Sequence, residues 1–305
     1  MKEIKSILQF FNDAQSSEEQ CALAQVVRVE GSSYRREGAR MIVFESGTFE
    51  GGISGGCLEG DALKRSQLAI LKQEPSIVTY DTSKEMEIGI GLGCNGIIDV
   101  LLTPITDDAE NIKILEKCIS NRRTHIIITI TESNLMDKVF KLGRSFYYDT
   151  DKKMIEGLAS SEIKNFILDK IEQVLEQSKS KSFAFNSEKG LLHFHIEFIP
   201  AQYHLAIYGD NYDVYPLIQI AGLLDWEISL VGNIQKLKKE HLKSVKNIYP
   251  KHLQERPKID ERTAVILMAH DFKTDIENLK TTIMSAAPYI ASLGPKKRFE
   301  KLKLQ

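Results

Sequence analysis

His204-Leu-Ala-Ile-Tyr208 is a short buried-type run that stops at Gly209 and gives way to a helical stretch, Tyr212 to Leu224. Glu227 to Val231 reads as a second short strand, Thr263 to Met268 as a third, Lys273 to Ala286 as a helix and Tyr289 to Leu293 as a further strand. Strands alternating with helices at this spacing predict a parallel, doubly wound sheet, because each crossover must pack a helix back onto the sheet. Pro200 marks where the pattern changes. The expected fold class is therefore α/β, with an N-terminal mixed α+β domain over 1–199 and a C-terminal Rossmann-like domain over 200–305. The length of 305 residues suits about two domains of ~150 residues each.

Upstream of Pro200 the periods are mixed. Ile4, Ile7, Leu8 and Phe11 fall at helical spacing, and Ala22 to Val29, Arg40 to Glu45 and Thr48 to Ile53 read as strands, the last two joined by Ser46-Gly47. Leu58 to Lys72 reads as a helix, and Ser76 to Tyr80 and Ile97 to Thr103 as strands. The middle has helices at Ala109 to Ile119 and Ser161 to Gln177, strands at His125 to Thr131 and Val139 to Tyr148, a solvated connector from Glu176 to Ser182, and two more strands.

Forty Lys+Arg against forty-two Asp+Glu leave a formal charge of -2, so the chain as a whole has no attraction to nucleic acid or an acidic membrane. The first residues lack the apolar core of a signal peptide, and no run of ~18 apolar residues exists. Cys21, Cys57, Cys94 and Cys118 show no CxxC spacing, which speaks against a disulfide framework or a zinc site and for a cytoplasmic protein with reduced thiols.

The glycines are uneven: of nineteen, twelve fall between Gly31 and Gly96. Gly51-Gly-Ile-Ser-Gly-Gly-Cys-Leu-Glu-Gly60 lies between a strand and a helix. Successive glycines let backbone amides turn toward a ligand, and the helix start adds the positive end of its dipole, so an anion cradle is expected. Cys57 sits at that helix start, where a thiolate is favoured, as nucleophile, sulfur carrier or soft metal ligand. The alternative is a small cysteine buried in a tight turn. Gly31 to Arg40 adds Arg35, Arg36 and Arg40, either a phosphate clamp or solvated charges on a turn. Gly89-Ile-Gly-Leu-Gly-Cys-Asn-Gly96 is a third glycine-rich loop, centred on Cys94. Three such loops suggest one shared site. Gly52-Ile-Ser54-Gly-Gly56 also spells a serine-hydrolase elbow, but the flanking strands look like hairpin partners rather than parallel ones.

Val26-Val-Arg-Val-Glu-Gly-Ser-Ser-Tyr-Arg-Arg-Glu-Gly-Ala-Arg-Met41, the run Gly51 to Gly60 and Gly91-Leu-Gly-Cys-Asn-Gly96 together resemble the XdhC/CoxI family, accessory proteins of molybdenum hydroxylases such as xanthine dehydrogenase and carbon monoxide dehydrogenase. The resemblance covers roughly 22–103 and 203–300. It implies an accessory factor rather than an enzyme. Such a factor holds molybdopterin (the molybdenum cofactor), supports exchange of an oxo for a sulfido ligand and inserts the product into the apo-hydroxylase. A cysteine desulfurase is the implied sulfur partner, and a homodimer the implied assembly. The residues expected to meet the cofactor are Cys57, as metal or sulfur contact, with Ser54, Gly55, Gly56, Glu59, Arg35, Arg36, Arg40 and Cys94, and from the C-terminal half Gly209, His270 and Asp271.

The competing reading is an NAD(P)-dependent oxidoreductase built on the C-terminal sheet. Gly209-Asp210-Asn211-Tyr212-Asp213 keeps only the first glycine of the nucleotide fingerprint, and Asp210 and Asp213 put negative charge where a pyrophosphate would sit. Leu230-Val231-Gly232-Asn233 lacks the acidic residue that would hold a ribose, so NAD is not expected. His270-Asp271 follows the third strand as part of a site or as a helix cap. His193 and His195 lack a third metal ligand and are read as structural or exposed. The basic tail ends at Gln305 in helix-like sequence, short of the further strand and helix that the resemblance implies.

Overall fold

A computed structural model describes residues 1–14, 19–81, 96–159 and 161–302. The chain divides into two compact units, Met1–Pro200 and Ala201–Gln305.

The first unit is built from two antiparallel sheets. In the first, β1 (Cys21–Gly31), β2 (Arg40–Phe44), β3 (Phe49–Gly51), β4 (Ser76–Asp81) and β5 (Gly96–Pro104) take the order β3-β2-β1-β5-β4. In the second, β6 (His125–Ser133), β7 (Ser145–Asp149), β8 (Met154–Ile155), β9 (Lys181–Ser187) and β10 (Gly190–Ile199) take the order β8-β7-β6-β10-β9. The pleat sorts side chains by face. Ala24, Val26, Met41, Val43, Val100 and Leu102 pack under helix α2 (Glu59–Lys72). Leu23, Ile42 and Phe44 instead meet Ile127, Tyr147 and Ile199 of the second sheet, with α1 (Lys2–Ala14) and α3 (Glu110–Ser120) closing the layer. On the far side of the second sheet, α4 (Glu162–Gln177) sets Ile167, Ile171 and Val174 against Phe194 and Ile196.

Three boundaries depart from expectation. The strand read over Val139 to Tyr148 begins only at Ser145, because Asp137 caps a 3₁₀ turn at Lys138–Phe140 and Gly143 takes φ +81 to turn the chain. The connector expected from Glu176 to Ser182 is shorter. Helix α4 runs to Gln177, ends on left-handed Ser178, and β9 starts at Lys181. The C-terminal helix read to Ala286 stops at Thr282.

A buried polar cluster also joins the two sheets. Arg40 is 2% exposed and its guanidinium is paired with both carboxylate oxygens of Glu197, which also accepts from Gln25 Nε2 at 3.2 Å. His195 is fully buried beside them, with Nδ1 3.0 Å from Ser182 Oγ. His193 meets Glu132 at 3.1 Å nearer the surface.

The second unit is one parallel sheet in the order β13-β12-β11-β14-β15, comprising β11 (His204–Tyr208), β12 (Glu227–Gly232), β13 (Asn247–Pro250), β14 (Thr263–Leu267) and β15 (Tyr289–Ser292). Helices α5 (Val214–Leu223), α6 (Phe272–Thr282) and α7 (Lys296–Leu302) complete it. Leu205, Ile207, Ile228 and Leu230 form the core against Val214, Ile218 and Ala221 of α5. The parallel α/β expectation holds here.

Burial pushes the His195 imidazole down to about 4, against an opposing pull from Glu197. Below pH ~6.5 the unfolded chain therefore binds a proton that the folded chain refuses. The stability tied to His195 is full above that pH and is lost as pH falls toward 4, by about 2 kcal/mol between pH 7 and pH 5. Urea unfolding at both pH values should show a steeper loss for the wild type than for His195→Gln; parallel losses would contradict this.

Candidate functional site

The glycine-rich loop leaves β3 and enters α2, and Arg40 fixes its first turn. Gly51 has φ +90, and a Cβ there would stand 2.4 Å from the Arg40 carbonyl oxygen. The next amide, Gly52 N–H, donates to that same oxygen at 2.8 Å.

Inside the loop the hydrogen bonds converge on Ser54 and Glu59. Glu59 Oε1 accepts from Ser54 N at 2.8 Å and Ile53 N at 3.2 Å, while Oε2 accepts from Ser54 Oγ at 2.5 Å. Ser54 Oγ in turn accepts from Leu58 N at 3.1 Å, Gly56 N at 3.2 Å and the Cys57 thiol at 3.5 Å. Burial alone would raise the Glu59 carboxyl, but the hydrogen bonds from the Ser54 hydroxyl and the loop amides outweigh it and hold the group below its usual range. Two of the loop amides expected to meet a ligand anion are thus taken by the chain's own Glu59. Ser54 is 8% exposed and bonded to a carboxylate, and β2 and β3 are antiparallel, so the serine-elbow spelling has none of its chemical context.

Cys57 is half-buried, packed against the core under α2. Gly56, at φ +107, has open space where a Cβ would be, and the ring of Tyr34, 77% exposed, lies over Gly55 with a would-be Cβ contact of 3.2 Å. The first two glycine-rich loops therefore meet at Tyr34. Of the third, only Gly96 lies among the described residues, and a Cβ on it would stand 2.3 Å from the carbonyl of Ser32 in the Gly31–Arg40 loop. Cys94 lies outside the described residues. The arginines divide. Arg40 is consumed by Glu197 and Gly38 O, Arg35 is paired with Glu3, and Arg36 faces solvent. A three-arginine phosphate clamp is corrected accordingly: two of its members already hold carboxylates. Cys21 and Cys118 are buried, and burial pushes both thiols up to about 12.

In the second unit Gly209 is required by strand packing, because a Cβ would stand 2.5 Å from Met268 O. Asp210 Oδ2 accepts from Asn233 N at 2.9 Å. At the start of α5, Val214 N and Tyr215 N are bonded to Asn211 O and Tyr212 O, and Pro216 has no N–H. The orphan amides that seat a pyrophosphate at a helix start are therefore spent. Asp271 caps α6 through Thr274 N at 2.7 Å, so its carboxylate is committed to the fold, while His270 Nε2 lies 2.5 Å from Asp213 Oδ2. Sequence reasoning missed Glu59 as the loop's internal anion, Tyr34, and Asp213. Among the described residues no group of three His, Cys, Asp or Glu side chains is placed to hold a metal ion.

A thiol on a hydrogen-bonded glycine-rich loop in one unit and a Rossmann-like parallel sheet in the other define a two-unit α/β protein. The chain belongs to the XdhC/CoxI family: the "XdhC and CoxI family" model matches residues 14–81 and the "XdhC Rossmann domain" model residues 205–305. It is 39% identical over 93 residues to a probable xanthine dehydrogenase subunit of Bacillus subtilis (strain 168), a match covering 30% of this chain and 28% of that protein. A crystal structure described as a xanthine dehydrogenase from Bacillus halodurans superposes with a TM-score of 0.71 at 25% identity, covering 98% of this chain and 85% of that one.

Removing the internal anion should loosen the loop. Glu59→Ala leaves two amides and a hydroxyl unpartnered and is expected to cost roughly 2 kcal/mol, with Glu59→Gln, which retains an acceptor oxygen, near half of that. Urea unfolding at pH 7 checks this, and two variants as stable as wild type would refute the clamp.

Proposed function

We propose that this chain is an accessory protein of a xanthine dehydrogenase-type molybdenum hydroxylase, holding the molybdenum cofactor while it is sulfurated and then delivering it. The observation that carries the reading is Cys57, a soft donor held partly exposed beside open space at Gly56, with its thiol bonded to Ser54 Oγ. The residues suit the cofactor at the soft end. Cys57 Sγ would meet the metal or its incoming sulfur, Gly55 and Gly56 keep the approach free of side chains, and the Tyr34 ring flanks it. Arg36 is the exposed cation for the pterin's phosphate. The cargo supplies a soft metal-dithiolene centre whose oxo ligand is the one exchanged.

The chain's own chemistry is positional. Ser54 Oγ takes the hydrogen bond from the thiol and fixes its direction, and Glu59 fixes Ser54. A cysteine desulfurase is the proposed sulfur donor and the apo-hydroxylase the recipient. No helix among the described residues is long and apolar enough to cross a membrane.

Gel filtration of the protein with molybdopterin tests the reading. Wild type should carry the cofactor through the column, and Cys57→Ala should retain at least tenfold less. A wild type that elutes bare contradicts the function, and a variant that binds like wild type removes Cys57 from it.

A further inference from the structure

The middle segment, outside both matched family models, carries a cavity of about 510 Å³ between the loop after β6, the start of α4 and the β9–β10 hairpin. That volume suits a small organic molecule, whose sites run from ~300 to ~1,000 Å³. Phe140 and Phe185, 3% and 8% exposed, supply its aromatic floor, with Leu135 and Ile163 beside them. Met136 also lines it and is 95% exposed.

The polar lining divides into groups that the fold has used and groups that it has not. Asp137 Oδ1 accepts from Val139 N at 2.9 Å and Ser161 Oγ accepts from Lys164 N at 3.1 Å, each capping a helical turn. Ser187 Oγ accepts from Lys189 N at 3.2 Å and donates to Gly190 O at 3.4 Å. The Glu162 carboxylate and the Lys189 ammonium remain, one charge of each sign. Among the described residues neither side chain has a hydrogen-bond or ion-pair partner, and the two do not pair with each other. A ligand with a single charge matches one of them and leaves the other unmatched. A zwitterion matches both, and an apolar body suits the phenylalanine floor.

We propose that this cavity binds a zwitterion with an apolar body, of the aromatic or branched α-amino acid class. Its carboxylate meets Lys189, its ammonium meets Glu162, and its side chain lies on Phe140 and Phe185. The site is independent of the cofactor reading for Cys57, and either stands if the other fails.

Free phenylalanine is the probe. In the full-length protein the Ile163 δ1 methyl is followed by proton–carbon NMR and assigned with Ile163→Val. Phenylalanine should shift it saturably in the millimolar range. Phenethylamine, which lacks the carboxylate, and phenylpropionate, which lacks the ammonium, should each bind at least about threefold more weakly, as expected for loss of one partly exposed ion pair. Lys189→Gln and Glu162→Gln alter exposed side chains, and each should weaken phenylalanine binding by a similar factor. A methyl unmoved by phenylalanine, a singly charged analogue that binds as tightly, or variants that bind as wild type does would each overturn the assignment.

Discussion

Arg40 is the residue through which the first unit is tied together. Its guanidinium leaves water, a desolvation that costs several kcal/mol. Against that cost it meets both oxygens of Glu197 and Gly38 O, while its Nε is buried without a partner. That pair joins β2 of one sheet to β10 of the other. The backbone of the same residue reaches in two more directions, with its N–H on Glu3 of α1 at 2.9 Å and its carbonyl receiving Gly52 N–H. Gly38 is a glycine for this reason. At φ +88, a Cβ on it would press to 2.5 Å on Glu197 Oε1. Helix, both sheets and the start of the glycine-rich loop thus share one node.

From that node outward, the site follows from counting donors and acceptors. Glycine-rich turns free many amides, and free amides are usually taken as evidence of an external anion. Here Glu59 takes those of Ile53 and Ser54, and Ser54 takes those of Gly56 and Leu58. The same count in the second unit reaches the same result at α5, whose amides are closed by a turn and a proline. Four amides of the loop expected to bind an anion are taken from within the chain, and so are the first amides of α5, where no dinucleotide was expected.

The parallel sheet was legible because alternation of apolar strands with helices leaves few other topologies, and the position of the glycine-rich loop was legible because strand and helix signals bracket it. The fates of its charges were not. Arg35, Arg36 and Arg40 share one loop and one chemistry, yet one is buried, one is paired and one is exposed, decided by Glu3 and by Glu197, a residue 157 positions away. Glu59 looked like a helix residue, and its part in the loop depends on backbone angles at Gly56 that composition does not encode. Asp213 read as unwelcome charge in a degraded fingerprint. It meets His270, which only the pairing of β11 with β14 brings near. The middle segment, which lies outside both matched family models, forms the second sheet and supplies Glu197, so its clearest contribution is to hold the loop-bearing sheet in place.

The central claim is that a clamped loop presents Cys57 to the molybdenum of the cargo. Molybdenum K-edge X-ray absorption on the protein loaded with molybdopterin tests it directly. The account predicts a sulfur neighbour of molybdenum in the wild type, beyond the dithiolene pair, that disappears in Cys57→Ser. Identical spectra from the two proteins, each carrying the cofactor, would contradict it.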